Sequence, residues 1–362
     1  MDTRFITLKE YESFDANATE IISLDLQDNI SQILIETWLD TDAAGSMTAH
    51  PSKSISNIEL IDGSEVLESF DGSQCEALDW YQTYTNRSPF NMALIGNSVR
   101  RTMAINFGRY LYDEKYNFDP TKFKNPQLRI TMDVDASMRG QDQVGLKVMA
   151  NVFDEKRPNS EGFLSLREVK TYQMAASSHE YTNLPVDLPY RGLLIQCQTL
   201  GTEPSALLEY LKLSQDQDKH VIMDNSIEDI FRSFGYYNTP IVEHWLFSIG
   251  LATRYIMCMP TTRVTAMATQ WRTAVMAREV ALYDGDGGRL RTICETGDTN
   301  YQVQVMGWLP HGCYYIPLHG DDSAEGYFKP PTEGNLKLDM TAGGGAAAGN
   351  ITKILTHQLR SY

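Results

Sequence analysis

Leu128-Arg129-Ile130-Thr131-Met132-Asp133-Val134 alternates apolar and polar residues without a break. A period of two is what a β-strand needs when one face meets a core and the other meets water. The pattern recurs along the chain. Met103, Ile105 and Phe107 alternate with Thr102, Ala104 and Asn106; Val144, Leu146, Val148, Ala150 and Val152 form a further set. Tyr301, Val303 and Val305 repeat it, as do Leu336, Leu338 and Met340. Turn formers separate the runs at Asp62-Gly63, Asp71-Gly72, Arg139-Gly140 and Asp284 to Gly288. Many short strands with frequent turns predict an all-β sandwich or barrel rather than alternating β and α units.

Helical signals are few. Ser73 followed by Glu76 reads as a capping box, with Gln74, Ala77, Leu78 and Tyr81 behind it at helical spacing. Ser226 followed by Asp229 opens a second short helix through Ile227, Ile230, Phe231 and Phe234. The two helices hold similar stations, and their surroundings match in order. Phe5-Ile-Thr-Leu-Lys-Glu10 reads like Phe163-Leu-Ser-Leu-Arg-Glu168, and Ile33-Leu-Ile35 like Leu193-Leu-Ile195. Ile58-Glu-Leu60 then Val66-Leu67 parallels Leu211-Lys-Leu213 then Val221-Ile222; Leu128–Met132 parallels Leu336–Met340. A strand at 144–153 or 350–359 closes each half. The chain therefore reads as an internal duplication. The joint falls in the linker near Asp154 to Gly162, dividing it into 1–155 and 156–362. An eight-stranded unit needs on the order of 100–150 residues, so each half is long enough. The block at about 236–310 has no counterpart in the first half and is expected to form inserted loops and strands at the outer end of the second unit. The stretch Gly343 to Gly349 is expected to be a flexible loop or tight hairpin.

The 362 residues carry a net charge of −16, and the densest basic runs are Arg100-Arg101 and Lys122 to Lys124. Those runs are too thin for a nucleic-acid footprint, which argues against direct, sequence-specific nucleic-acid binding. Five widely spaced cysteines with no CxxC fit reduced thiols, and no run of about 18 apolar residues suggests a membrane span. The N-terminus reads as neither a signal nor a transit peptide.

Ile58 to Leu67 followed by the Cys75–Tyr81 helix resembles the first barrel of phage double jelly-roll major capsid proteins. So do Gly162 to Val169, Leu184-Pro185, Leu188 to Leu194, Leu211 to Asp216 and the helix at 226–234. Within that group the phrases resemble in particular the family of the Flavobacterium-infecting, lipid-containing tailless phage. The resemblance spans roughly residues 5–234, with 325–362 similar only in pattern. It implies two tandem eight-stranded jelly-roll barrels, each with a short helix, in a structural protein of the virion, made in the host cytoplasm. Three chains would form a pseudo-hexameric capsomer that tiles an icosahedral shell, its lobes of two heights and the taller in the C-terminal half. Vertex (penton) and minor capsid proteins would be partners. An internal membrane beneath the shell is a further partner that the resemblance allows.

The residues offer little chemistry. His311 and His319 flank Cys313, with Asp321 and Asp322 beyond, but strand and loop histidines explain them without a metal. Asp284, Asp286 and Glu295 imitate an EF-hand count, yet Arg289 stands where the sharp-turn glycine belongs. Asp133 with Asp135, and Asp216 with Asp218, read as polar strand faces or turns. Neither a nucleophile elbow nor a phosphate loop is present. The Met- and Tyr-rich segment Trp245 to Trp271 is expected to supply core strands plus a subunit contact. No catalytic, cofactor-binding or metal residue is assigned, no cofactor is expected, and the chain reads as a non-enzyme. The alternative is a double jelly-roll protein that binds or hydrolyses glycans with acids in the cleft between the barrels.

Overall fold

The computed structural model describes residues 3–362 except 41–46, 94–97, 138–142, 155–157, 235–238, 250–253, 271–279, 295–298, 321–322, 324–325, 332–333 and 348. In the first half the elements run β1 (Thr3–Phe14), β2 (Ala18–Ser23), β3 (Ile30–Asp40), β4 (Ile55–Asp62), β5 (Glu65–Phe70), α1 (Gly72–Thr83), β6 (Phe90–Ala93), β7 (Ser98–Asn106), β8 (Pro126–Met132) and β9 (Val144–Phe153). The second half continues with β10 (Gly162–Gln173), β11 (His179–Leu184), β12 (Tyr190–Cys197), α2 (Pro204–Leu207), β13 (Leu208–Gln215), β14 (His220–Ser226) and α3 (Ile227–Ser233). Next come β15 (Ile241–Ile249), β16 (Arg254–Met257), β17 (Pro260–Gln270), β18 (Val280–Asp284), β19 (Arg289–Cys294) and β20 (Thr299–Pro310). The chain closes with β21 (Cys313–Pro317), β22 (Leu336–Ala342) and β23 (Ile351–Ser361).

The halves share one strand order. The first forms sheets β1-β9-β3-β7 and β2-β8-β4-β5; the second forms β10-β23-β12-β21 and β11-β22-β13-β14. Strand for strand, the second order repeats the first, so each half is an eight-stranded, two-sheet unit of the jelly-roll kind. The repeat includes the helix: α1 follows β5 and α3 follows β14. Strand cores form as the alternation requires. Leu128, Ile130 and Met132 on β8 are buried, as are Leu336, Leu338 and Met340 on β22, while the residues between them are half-exposed. The two units touch edge to edge where Ser69 on β5 pairs in parallel with Arg167 on β10.

The block at 236–310 contributes six strands. Strands β15, β17 and β20 form a sheet in the order β17-β20-β15-β6, and β16, β18 and β19 form a second, smaller one. The short strand β6, inserted after α1 in the first half, completes the larger sheet by pairing in parallel with β15. Both insertions therefore leave their barrels at the same station, just after the helix, and meet in one outer layer.

Two local expectations are corrected. The box that caps α1 starts at Asp71, not Ser73: Asp71 Oδ1 accepts from Gln74 N–H at 3.0 Å, and Gln74 Oε1 accepts from Asp71 N–H at 2.8 Å. Ser73 instead donates to Asp71 Oδ1. The 343–349 stretch does not join a hairpin, because β22 and β23 lie in different sheets. It crosses between them against α2, where Gly343 N–H donates to Leu207 O at 2.8 Å. A Cβ on Gly343 would stand 2.2 Å from Ala206 O, so glycine is required by close approach. By contrast, Ser226 caps α3 as expected, accepting from Asp229 N–H at 3.1 Å. Asp286 to Gly288 make a tight turn between β18 and β19. Arg139, Gly140, Lys156, Arg157, Trp271, Glu295, Asp321 and Asp322 lie outside the described residues.

Candidate functional site

Helix α1 is buried along most of its length, from Gly72 to Tyr81. An amphipathic helix on one barrel would keep a wet face. This one has none to spare, because it is wedged between the halves. On the first half, Cys75 Sγ lies 3.4 Å from Ala104 O of β7. On the second, Gln74 donates to Gln196 of β12 at 2.9 Å, and Tyr81 O–H donates to Cys313 O at 2.7 Å. This wedge explains why every residue of β12 is buried. The N-terminus of the helix is pinned as well. Burial alone would raise the Asp71 carboxyl, but Lys53 at 3.1 Å and Lys353 of β23 at 3.3 Å hold it well below the usual range.

At the middle of α1, Glu76 enters a buried charge cluster. Arg101 of β7, fully buried, donates through Nη2 to Glu76 Oε1 and through Nη1 to Glu243 Oε1 of β15 at 3.0 Å. The same Nη1 reaches Ser88 O at 2.8 Å and Asn91 Oδ1 of β6 at 3.0 Å. His311, in the β20–β21 turn, donates through Nε2 to Glu76 Oε2 at 2.9 Å. His50 accepts from Ser52 N–H at Nδ1 (3.2 Å), which leaves its Nε2–H to face Glu243 Oε1 at 3.4 Å. Glu243 Oε2 accepts from Met259 N–H at 2.8 Å. Five side chains from both halves and from the outer layer thus share one set of bonds.

Burial would raise both carboxyls, but the Arg101 guanidinium between them holds Glu76 and Glu243 below their ordinary values. Burial and the nearby guanidinium push His50 down to about 4, so it is neutral at pH 7. The Arg101 guanidinium thus stands between the two carboxylates, and the imidazoles and backbone N–H groups supply further donors.

His50, Glu76 and His311 place potential ligand atoms within 4.8 Å of one another. The bonding argues against a metal. Both Glu76 oxygens are engaged, a guanidinium sits on the same carboxylate, and His50 Nδ1 holds a backbone N–H. A divalent cation would have to compete with Arg101 for the charge it needs. The cluster is built as an ion-pair clamp that fixes the barrels and the outer layer relative to one another.

Other residues singled out in the sequence are dispersed. His311 and His319 are not brought to one site: His311 faces Glu76, whereas the His319 ring packs on Tyr327. Asp133 Oδ1 accepts from Asp135 N–H in a turn after β8. Asp216 and Asp218 occupy the left-handed turn between β13 and β14, where Asp218 pairs with Lys212 at 3.3 Å. Cys75, Cys197, Cys258 and Cys313 are buried free thiols. A cleft of about 520 Å³ beside His50 is lined by Lys53, Asp71, Asp133, Gln198 and Met257. Its best-placed acid, Asp71, is already committed to two lysines and a helix cap.

The alternation itself could have disclosed the cluster. Arg101 lies in phase with Met103 and Ile105, and Glu243 lies between Ile241 and Trp245, so the periodicity that buries the apolar residues buries these charges too.

His357, in contact with Tyr315 O–H at 3.0 Å, is also held well below its ordinary value by burial. For an imidazole lowered on folding, the unfolded chain binds the extra proton, so stability is lost as pH falls from about 6.5 towards 4. Urea midpoints measured from pH 7 to pH 4.5 should decline, and a His50→Gln, His357→Gln double variant should decline less. Equal slopes would refute this assignment.

No family model and no curated protein sequence matches the chain. Solved structures do. The major capsid protein of Sulfolobus turreted icosahedral virus superposes with a TM-score of 0.60 at 10% identity, covering 99% of this chain and 97% of that one. The major capsid protein of bacteriophage PM2 gives 0.57 at 9% identity, with 99% and 98% covered. The capsid of the virus PBCV-1 gives 0.54 at 10% identity, with 99% and 93% covered.

The chain has the double jelly-roll fold.

Coverage is end to end on both sides, so the match includes both barrels and the layer above them. In this double jelly roll, α1 and the Arg101 cluster fasten one barrel to the other alongside the β5–β10 seam.

Proposed function

We propose that this double jelly roll is the major capsid protein of a tailless icosahedral virus and acts as a structural unit rather than an enzyme. The observation that carries the reading is the repeated strand order on either side of a buried, ion-paired wedge. Two alike barrels held at a fixed angle make a two-lobed brick, and three such bricks around a three-fold axis present six similar lobes. Such a trimer tiles a hexagonal lattice while another protein fills the five-fold vertices. The barrels on this reading comprise 1–155 and 156–362, and the layer built from β15 to β20 makes the second lobe the taller. A ring of three uses head-to-tail contacts, so two different surfaces of each copy must match. Minor capsid proteins and an underlying membrane remain partners implied by the resemblance to phage capsid proteins.

The test is the oligomeric state of the purified chain. Light scattering coupled to size exclusion should give three times the chain mass, and negative-stain images should show pseudo-hexagonal particles. A chain that stays monomeric at every concentration and binds glycan would overturn the proposal in favour of the alternative.

A further inference from the structure

We infer that the outer face of the sheet β6-β15-β20-β17 is a surface by which copies of this chain meet around the three-fold axis, an inference that rests on the capsid reading above. Register places the face without ambiguity. Phe90 and Met92 of β6 pair with His244 and Leu246 of β15. Across β15, His244 pairs with Gln304 of β20, and Gln304 in turn with Met267 of β17. Directly paired residues point to one side of a sheet. The opposite side, with Trp245, Val303 and Val305, is buried.

Val242, His244 and Leu246 of β15 and the residues paired with them point outward, ten described residues in all, and none is Asp, Glu, Lys or Arg. At the chain's 22% charged content about two would be expected, and more at exposed positions. Apolar side chains take their place: Phe90 is 69% exposed, Met267 63%, Met92 46% and Met306 37%. The first ionic groups stand at the rim, where Arg263, at a bulge in β17, pairs with Glu228. Met and aromatic residues inside a charged rim are the composition of a protein–protein contact.

The exposed apolar residues on β1 and β11 have ionic company. Tyr181 on β11 lies under the Lys337 ammonium at 4.3 Å. Beside the exposed Phe5 and Tyr11 of β1, Lys9 pairs with Glu12 and Glu20. Those faces are dressed for water; the outer-layer face is not.

Charge selects the occupant. A nucleic acid or an anionic lipid surface would need cations, and the ten described outward residues include neither Lys nor Arg. A second copy also carries −16, so copies repel over most of their surface and can close only where the contact is uncharged. Size selects the assembly. Four strands about 4.8 Å apart, each with two or three outward residues, span roughly 300–400 Å². A stable interface takes roughly 800 Å² per partner, so this face alone would not hold a dimer. It suits a trimer in which barrel flanks other than the β1 face supply the rest.

The experiment uses the full chain and two readouts. A Phe90→Asp, Met267→Asp double variant should shift from three times the chain mass to the chain mass in light scattering, with an unchanged circular dichroism spectrum. Phe5→Asp, at a site 58% exposed on β1, should keep the trimer. In the second readout a Met267→Cys chain is labelled with a maleimide, and the rate should fall at least tenfold between dilute monomer and assembled trimer. Cys75, Cys197, Cys258 and Cys313 are buried, and Cys294→Ser in the labelled chain removes the fifth thiol. A trimer that survives the double variant, a trimer lost equally with Phe5→Asp, or a labelling rate unchanged on assembly would overturn this face and leave the capsid reading standing. A wild-type chain that never trimerises would instead defeat the capsid reading itself.

Discussion

Arg101→Met is expected to destabilise the folded chain by about 3–5 kcal/mol, enough to abolish soluble expression of a marginally stable protein. The substitution keeps the volume and the buried stem but removes the one cation between Glu76 and Glu243. Two carboxylates are then left in a site where they are 6% and 0% exposed at the side chain. Neither can be re-solvated without opening the contact between α1, β7 and β15. The cost of such a break comes mainly from the orphaned charges, so it should be recoverable. Adding Glu76→Gln and Glu243→Gln to Arg101→Met removes the net charge from the site and should restore most of the loss, because neutral replacements of buried ion networks are often tolerated. Chemical denaturation of the single and triple variants decides it. A triple variant as unstable as Arg101→Met would show that the guanidinium acts through packing rather than through charge.

The second large effect is expected at Glu68 and has the opposite pH sense to the histidines. Glu68 lies on β5 at the seam with β10, 2% exposed, with Leu166 N–H approaching one oxygen at 3.4 Å. Burial pushes its carboxyl up to about 8, so the group is protonated at neutral pH. A carboxyl raised on folding means that the native state binds the extra proton. Stability is then full below about 4.5, declines as pH rises, and the decline ends above about 8. Forcing the group to ionise would cost at most roughly 4–5 kcal/mol at about 1.4 kcal/mol per pH unit. Glu68→Gln keeps the shape without the titration. It should match the wild type at pH 5 and exceed it by a few kcal/mol at pH 9 in urea denaturation. Indistinguishable curves at pH 9 would place the Glu68 carboxylate in contact with water or with a cation. Because the seam joins the two barrels, alkaline loosening should begin there.

The strands were legible because their burial is one-sided. On β8 and β22 a single local rule, apolar inward and polar outward, governs each residue, and the tertiary structure obeys it. The same rule also marks the buried charge. Read two residues back from Met103 it already aims Arg101 at the core, and a charge in phase with apolar neighbours marks a buried pair. Its partners were not legible. Glu76 sits on a helix whose outer face would be wet on an isolated barrel, and nothing local says that a second barrel will cover it. His50 and His311 lie in connections with no period at all. The cap falls at Asp71, whose carboxylate pairs with Lys53 and Lys353, the latter from the far end of the chain.

The amino-acid sequence by itself determined the all-β character, the paired order of strands and helices in the two halves, and the faces that each barrel buries. These follow from the two-residue period and from turn and cap chemistry, which act over a few residues. Only the tertiary structure decided how the barrels are fastened. It assembled Arg101, Glu76, Glu243, His50 and His311 from segments more than 200 residues apart, and it united β6 with β15, β17 and β20 in one uncharged face. Burial of a charge and exposure of an apolar face depend on what lies opposite each residue in space. No local pattern encodes that neighbour, so the clamp and the outer layer appear only when the two halves are set side by side.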